Sequence, residues 1–228
     1  MAEELNILLA RREGIDRGLF VHAVTREAAR LDNCTLALSV PTNAFDSLAH
    51  MRDSRASVAT WEATLTLSAN IDVLTGLAAR VGNMIDPAHS TVAAGCRYTI
   101  RPGQGPVRLS FILRRLARLT QARFHDCWLT IHADFARRLL PPYCSYQQIH
   151  AREDASRKAS RSAGLAFLDI DGLGEVYFSD LSSLKDMLSG PAVSPEGRTD
   201  EPSFIDHSSS QIAAYITSYP ATDVLAGW

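Results

Sequence analysis

The sequence predicts an α+β fold that is made of two similar units in one chain. Each half reads in the order strand, helix, strand, strand, helix, strand. Arg11-Arg12 and Phe20 recur as Arg114-Arg115 and Phe124 at a near-constant offset of 103 or 104 residues, which indicates an internal repeat. Residues 101–106, Arg-Pro-Gly-Gln-Gly-Pro, suit neither helix nor strand and separate the halves. We therefore expect one unit over residues 1–101 and a second over residues 107–228.

The order of elements is that of the split βαβ, or ferredoxin-like, unit, in which two helices cover one face of an antiparallel sheet. The other face of such a sheet also has to be covered. Two fused units can do this by packing sheet against sheet. The predicted fold class is therefore two fused ferredoxin-like units that form a pseudo-dimeric α/β barrel.

The elements of the first half follow from the local spacing of apolar residues. They are a strand at 5–10, a helix at 17–31 with Asp16 as its N-cap, strands at 34–40 and 59–67, a second helix from 68 or 70 to 85, and a strand at 91–100. The stretch 41–57 is polar and irregular, with one helical turn expected around 45–51.

The second half follows the same pattern. It begins with a strand at 107–113 and a long helix at 121–140, which starts at the N-cap Thr120 and stops at Pro141-Pro142. A strand at 143–150 and a polar loop at 153–162 follow, and then two apolar runs at 165–170 and 174–178 that are joined through the turn residues Asp171-Gly172. The last elements are a short helix at 181–188, a Pro/Gly-containing excursion at 191–201 and a strand at 211–218.

The long helix carries the most informative side chains. Phe124 and Trp128 lie on its apolar face, and His132 follows one turn later on the same face. The repeat offset places Val24 and Ala28 of the first half at the positions of Trp128 and His132. An inward imidazole is either a hydrogen-bonded core residue or a general acid/base. The asymmetry between the halves adds weight to the functional interpretation, and both interpretations stay open.

Composition excludes several classes of function. With 46% hydrophobic and 21% charged residues, the 228-residue chain can bury an ordinary core. A net charge of −2 gives no basic field, so neither nucleic acid nor an anionic membrane is an expected partner. The acidic start Met1-Ala2-Glu3-Glu4 and the lack of a long apolar run argue against a signal peptide and a membrane span, and predict a cytoplasmic protein.

Sequence motifs point to no metal and no cofactor. Four cysteines, Cys34, Cys96, Cys127 and Cys144, have no zinc-like spacing and are expected to be reduced thiols. No glycine-rich nucleotide loop, HExxH motif or G-x-S-x-G motif occurs, so nucleotide, flavin and serine-hydrolase chemistry are unsupported.

Three segments of the second half resemble a known family. They are the strand ending in Arg114-Arg115 followed by Phe124-His125-x-x-Trp128-x-x-x-His132-Ala133, the run Asp171-Gly172-Leu173-Gly174-Glu175-Val176-Tyr177-Phe178-Ser179-Asp180, and Ser194-Pro195-Glu196-Gly197 with Asp200-Glu201 and Phe204-Ile205-Asp206. Through them, residues 107–218 resemble an EthD domain of the dimeric α/β-barrel superfamily. In that family Ala-Pro usually follows the histidine, whereas here Ala133 is followed by Asp134 and the helix continues.

The resemblance implies a role in the metabolism of aromatic compounds or ethers. Relatives on this barrel include cofactor-free dehydratases, isomerases, cyclases and monooxygenases, and some bind haem. A haem on His132 is a minor alternative, since no basic residues are marked as propionate partners. Because fold does not select among these activities, the choice among them stays open.

Candidate site residues follow from both the pattern and the resemblance. We expect His132 to act as a general base, with Glu175 either turned toward the helices as an orienting or second acid/base group, or facing solvent as a sheet-edge charge. Aromatic residues could line a substrate pocket, although each is also an ordinary core residue: Phe124, Trp128, Phe135, Tyr146 and Tyr177.

Three hypotheses of function result. The first is a cofactor-independent lyase/dehydratase or isomerase that transfers protons on a small aromatic or ketone-like metabolite. The second is a cofactor-free, oxygen-dependent monooxygenase on the same barrel. The third is a non-catalytic accessory protein that binds a small molecule. Association into a homodimer is left open by the sequence.

Overall fold

The computed structural model describes residues 3–40, 61–190 and 199–218. The strands are β1 (Glu3–Ala10), β2 (Thr35–Ser39), β3 (Trp61–Ala69), β4 (Thr91–Arg101), β5 (Val107–Leu113), β6 (Ser145–Ala151), β7 (Gly172–Phe178) and β8 (Gln211–Ser218). The α-helices are α1 (Arg17–Ala28), α2 (Leu77–Val81), α3 (Gln121–Cys127), α4 (Ala133–Leu139), α5 (Glu153–Ala163) and α6 (Leu181–Leu188). A π turn (Trp128–His132) joins α3 to α4 without a break.

The strands form a closed antiparallel barrel in the order β1-β3-β2-β8-β5-β7-β6-β4, with β4 paired back to β1. The first half contributes β4-β1-β3-β2 and the second half β8-β5-β7-β6, which is the same order in both. The halves meet at two seams, where Leu38 pairs with Ile216 and Arg97 pairs with Ile149. The predicted fold class, two fused ferredoxin-like units in a pseudo-dimeric barrel, is confirmed.

Each strand has one face toward the helices and one face toward the inside of the barrel, because side chains alternate along a strand. In β1, Leu5, Ile7 and Leu9 pack with Phe20 of α1 in the outer core of the first half. Leu8 packs instead in a separate cluster inside the barrel. That inner apolar cluster contains Leu8, Ala10, Trp61, Ala93, Ile112, Ile149, Ala151, Ile170 and Leu173.

The internal repeat extends to hydrogen bonds at the ends of the sheets. The hydroxyl of Ser90 accepts from the amide of Ala10 at 2.9 Å and donates to the carbonyl of Asp86. The hydroxyl of Ser210 accepts from the amide of Arg114 at 2.9 Å and donates to the carbonyl of Asp206 in the same way. The two halves therefore share the same serine-centred pattern of hydrogen bonds at the ends of these strands.

Two sequence expectations are wrong. The polar stretch at 153–162 is not a loop but helix α5, whose buried face is built from small residues. The hydroxyls of Ser156 and Ser160 accept from the amides of Ala94 and Val92, each at 3.0 Å, so α5 packs on β4. The second helix of the first half is short and flanked by 3₁₀ turns (Ile71–Leu74 and Gly82–Met84).

The glycines around α2 explain its short length. Gly76 and Gly82 both have positive φ, at 71° and 72°, which is incompatible with a continuous helix through them. The expected helical turn at 45–51 and the part of the Pro/Gly-containing excursion at 191–198 lie outside the described residues. Within the described part of the chain, no helix has the length and apolar character that crossing a bilayer requires.

Candidate active site between the long helix and the second sheet

The predicted long helix is present, but its middle turn is a π turn. Thr120 starts α3 by accepting from the amide of Arg123 at 3.2 Å. The π turn runs from Trp128 to His132, so it contains both residues that distinguish this half from the first. Single π turns inside α-helices are frequent at functional sites.

Trp128 is fully buried between the helix and the sheet. Its indole N–H donates to the hydroxyl of Tyr146 at 3.1 Å. The ring lies directly on Gly172 of β7, where a Cβ atom would come within 2.3 Å of Cζ3. Phe124, also fully buried, has its ring centroid 5.6 Å from that of Trp128. Glycine at 172 is therefore required for the indole to reach the sheet.

His132 forms a pair with Asp200, which belongs to the third of the family-like segments but was not a predicted site residue. Its Nδ1 lies 3.0 Å from Oδ2 of Asp200, and because a carboxylate only accepts, Nδ1 carries the proton. The lone pair is then on Nε2, for which the described residues provide no hydrogen-bond partner. The imidazole is 18% exposed and Asp200 is 8% exposed. The rings of Phe204 and Tyr146 stand edge-on to it, at centroid distances of 5.7 and 6.4 Å.

A second imidazole, His150, lies on the same face of the sheet as Tyr146. Its Nε2 is 3.0 Å from Oε1 of Gln148, whose amide nitrogen donates to the carbonyl of Trp128 at 3.0 Å. The ring of His150 is stacked on Trp128, with centroids 4.9 Å apart and planes at 9°. Burial, together with a smaller effect of the nearby His125, lowers the pKa of His150 to about 3.

His125 completes this group from helix α3. It stacks on His150 at a centroid distance of 4.5 Å, and its Nε2 lies 2.8 Å from the carbonyl oxygen of Asp171. Burial lowers the pKa of His125 as well, against the opposing effect of Asp171. Both histidines line a cleft of about 280 Å³ over the β4–β6 seam, together with Cys96, Tyr98, Asp126, Leu129 and Arg152.

Glu175 does not approach His132. It lies on the barrel side of β7, whereas its neighbour Val176 packs on the helix side with Ala133. Inside the barrel Glu175 pairs with Arg108 at 2.8 Å and Arg97 at 3.3 Å. Both expectations for Glu175 are therefore wrong: it does not orient His132, because side chains alternate along the strand, and at 2% exposure it does not face solvent.

The surroundings of Glu175 are those of a buried ion-pair cluster. The hydroxyl of Tyr177 donates to it at 2.6 Å. Burial acts to raise the pKa of Glu175, but the guanidinium groups of Arg108 and Arg97 outweigh it and hold the pKa below its ordinary value. Arg97 also pairs with Glu4, so two cations and two carboxylates balance within the barrel.

The predicted aromatic residues are thus divided among three places. Tyr146 stands edge-on to His132, Trp128 donates to Tyr146, and Phe124 packs on Trp128, all in the layer between helix and sheet. Tyr177 faces the barrel interior beside Glu175. Phe135 is half-buried on α4, with the guanidinium of Arg138 4.9 Å from its ring centroid.

Asp200, His125, Gln148 and His150 were not among the predicted site residues. A signal for two of them existed: Tyr146, Gln148 and His150 follow the two-residue period of a strand and so share one face. Asp200 lies 68 positions after His132, and no local pattern joins them.

The residues near His132 do not fit a haem. Trp128, Tyr146 and Phe204 occupy the layer between helix and sheet and are at most 4% exposed, so a porphyrin has no room without displacing them. The same layer offers no metal centre: the described residues contain no group of three His, Cys, Asp or Glu side chains that could hold an ion.

Comparison with solved structures places the fold in a known group. A candidate chlorite dismutase superposes with a TM-score of 0.54 at 10% identity, covering 98% of this chain and 97% of that one. A mutant chlorite dismutase from Candidatus Nitrospira defluvii gives 0.52 at 9% identity, covering 98% and 93%. A candidate monooxygenase from Fusobacterium nucleatum subsp. nucleatum gives 0.50 at 10% identity, covering 95% and 92%.

Of the two comparisons of sequence, one found a family and the other found no relative. No curated protein matches the sequence. Residues 117–208, which include α3, the π turn, His150 and Asp200, match the EthD domain family. Residues 117–208 are therefore similar to the EthD domain family, and the chain has the fold of these solved structures.

Proposed function

We propose that this protein is a cofactor-independent enzyme that transfers protons on a small aromatic or ketone-like metabolite, as a lyase/dehydratase or an isomerase. The observation that supports the proposal is the pair of His132 and Asp200, 3.0 Å apart, beside the rings of Phe204 and Tyr146. A carboxylate that accepts from one nitrogen of an imidazole fixes the tautomer and leaves the other nitrogen as the base.

In this mechanism Nε2 of His132 removes a proton from the carbon next to a carbonyl group, and the electron pair moves into the enolate. Asp200 stabilises the imidazolium that forms, as a buried carboxylate does beside a catalytic histidine. In an isomerisation the imidazolium returns its proton to another carbon. In a dehydration it gives the proton to a departing β-hydroxyl, so that water and a carbon–carbon double bond result.

The apolar surroundings suit this chemistry. Phe204 is 1% and Tyr146 4% exposed, so water is largely excluded from the side of the imidazole that faces these two rings. Electrostatic stabilisation by Asp200 is stronger where water is excluded. Glu175 has no part in the mechanism, because it faces the barrel interior.

The test is deuterium exchange by NMR with a panel of aromatic ketones and β-hydroxy ketones in D₂O. We expect the protein to exchange the α-hydrogens of at least one compound, and His132→Gln to lose this exchange by at least a hundredfold. His22→Gln, which changes an exposed histidine on α1, is the matched control and should leave exchange unchanged. Exchange that survives His132→Gln would contradict the proposal.

Two alternatives predict different results. An oxygen-dependent monooxygenase, the activity for which the Fusobacterium structure is named, could use the same histidine as its base, but its turnover would stop under anaerobic conditions. A non-catalytic binding protein would show no exchange, and His132→Ala would lower its affinity without abolishing an activity. A homodimer also remains a proposal, which light scattering of the purified chain tests.

A further inference from the structure

We propose that the cleft over the β4–β6 seam is a second binding site, for a small neutral molecule with a phenolic or enolic hydroxyl, and that Nδ1 of His150 accepts that hydroxyl's hydrogen bond. The proposal does not depend on His132 as a base. It rests on the tautomer of His150, on the rings around it and on the charge balance of the cleft.

The hydrogen bonds around Gln148 fix the tautomer of His150. The amide nitrogen of Gln148 donates to the carbonyl of Trp128 at 3.0 Å and lies 3.3 Å from the hydroxyl of Tyr146. Its oxygen therefore faces His150 and can only accept, so Nε2 of His150 carries the proton. The lone pair of His150 is on Nδ1, to which no other described residue donates a hydrogen bond.

The rings around His150 set the shape of the ligand. His150 itself is only 5% exposed and is held by Trp128 and His125, whereas Tyr98, 4.5 Å away between centroids, is 38% exposed. A flat molecule that reaches His150 would therefore lie against Tyr98. A volume of about 280 Å³ is near the lower limit of small-molecule pockets, which suits a single ring with few substituents.

The charges that face the cleft balance. Asp126 pairs with Arg123 at 2.8 Å, and Arg152 pairs with Glu3 at 3.0 Å and Asp154 at 2.9 Å. Each charge at the rim is thus compensated by an ion pair on the protein. The buried imidazoles of His125 and His150 are neutral near pH 7, since burial lowers both pKa values. Because the accepting imidazole is neutral and the charged side chains that line the cleft are paired, the cleft favours a neutral hydroxyl over its anion.

The probe for the first experiment is 4-nitrophenol, whose anion is yellow and whose neutral form is not. We expect the full-length protein to bind it as the neutral form, so that the yellow absorbance falls on titration near the pKa of the free probe. His150→Phe keeps a ring in the stack but removes the acceptor, and should bind the probe roughly tenfold more weakly. An unchanged or increased yellow absorbance at saturation would overturn the proposal.

A second experiment does not require a change in the core. Cys96 lines the cleft and is exposed, so iodoacetamide should alkylate it, and 4-nitrophenol should slow that alkylation. Peptide mass spectrometry reads the rate at Cys96 alone, and Tyr98→Ala should weaken the protection. Alkylation at the same rate with saturating probe would place the probe elsewhere and overturn the proposal.

The two proposals fail separately. His132→Gln should keep both the probe titration and the protection of Cys96, because His132 does not line the cleft. Loss of probe binding in His132→Gln, with the fold intact by circular dichroism, would show that the cleft and the His132 site are one site and would overturn the inference of a second one.

Discussion

The imidazole of His150 and the indole of Trp128 lie nearly parallel, with ring centroids 4.9 Å apart and planes inclined by 9°. One ring belongs to strand β6 and the other to the π turn after helix α3. Gln148 joins the same two elements by donating to the carbonyl of Trp128. The stack therefore ties the π turn to the sheet and makes a neutral imidazole part of the core.

The first prediction concerns stability in acid. The pKa of His150 is about 3 in the folded protein, below the ordinary histidine value of about 6.5. Below about pH 6.5 the unfolded chain binds a proton that the folded chain does not, so stability falls as the pH falls toward the folded pKa. We expect His150 to contribute a loss of roughly 1.4 kcal/mol per pH unit between about pH 6 and 4. Urea unfolding at several pH values measures it.

The control for that prediction is His150→Phe, which cannot take up a proton. Its free energy of unfolding should depend less steeply on pH than that of the natural chain. The difference between the two slopes should correspond to at most one bound proton. His22→Phe, which changes an exposed histidine on α1, should keep the original slope. Equal slopes for the natural chain and His150→Phe would show that His150 is protonated in the folded state.

The second prediction concerns the ion-pair cluster in the barrel. Glu175→Gln leaves Arg108, which is 2% exposed, without its carboxylate partner. Removing one member of a buried pair costs roughly 3–5 kcal/mol, because the other charge stays buried. Glu153→Gln breaks an exposed pair with Arg157 and should cost less than about 1 kcal/mol. Thermal and urea unfolding of both variants compare the two sites; similar small losses would contradict the buried cluster.

The third prediction concerns the contact of Trp128 with strand β7. A Cβ atom at Gly172 would lie 2.3 Å from the indole and 2.7 Å from the carbonyl of Ile149, whereas at Gly174 the nearest atom is 3.4 Å away. Gly172→Ala should therefore destabilise the protein by roughly 1–3 kcal/mol. It should also change the near-ultraviolet circular dichroism of tryptophan. Gly174→Ala should do neither, and equal effects of the two would contradict this packing.

The fourth prediction concerns the tautomer of His132. Because Asp200 accepts from Nδ1, the ¹⁵N NMR spectrum near pH 8 should show the proton of His132 on Nδ1. Asp200→Asn should shift the population toward the other tautomer, while Asp126→Asn, a carboxylate 56% exposed, should leave the signal unchanged. A protonated Nε2 in the natural chain would exclude Nε2 as the base.

The regular elements could be predicted because their apolar periods are strong. The repeat offset placed Phe20 and Phe124 in equivalent positions, and both are fully buried. Helix α5 was missed because its buried face is formed by alanine and serine, which do not stand out as an apolar stripe. The hydroxyls of Ser156 and Ser160 bond to the backbone of β4, a long-range contact that no local pattern contains.

Only part of the candidate site could be predicted, again because local patterns do not contain long-range contacts. The helical period correctly joined Phe124 and Trp128, but the direction of Glu175 depends on the register of β7, which the sequence left open. Asp171, expected as a turn residue, is fully buried and accepts from the amide of Arg115 at 2.8 Å. The link between His132 and Asp200 spans 68 positions and depends on tertiary structure.

The closed barrel, with its seams at β2–β8 and β4–β6, has a consequence for how such a protein can change over time. In a barrel assembled from two identical chains, every substitution occurs twice, and both helical layers must accept it. Here the first layer carries Val24 and Ala28 where the second carries Trp128 and His132. Covalent fusion thus lets the two helical layers accept different substitutions, so that each can be selected for different properties.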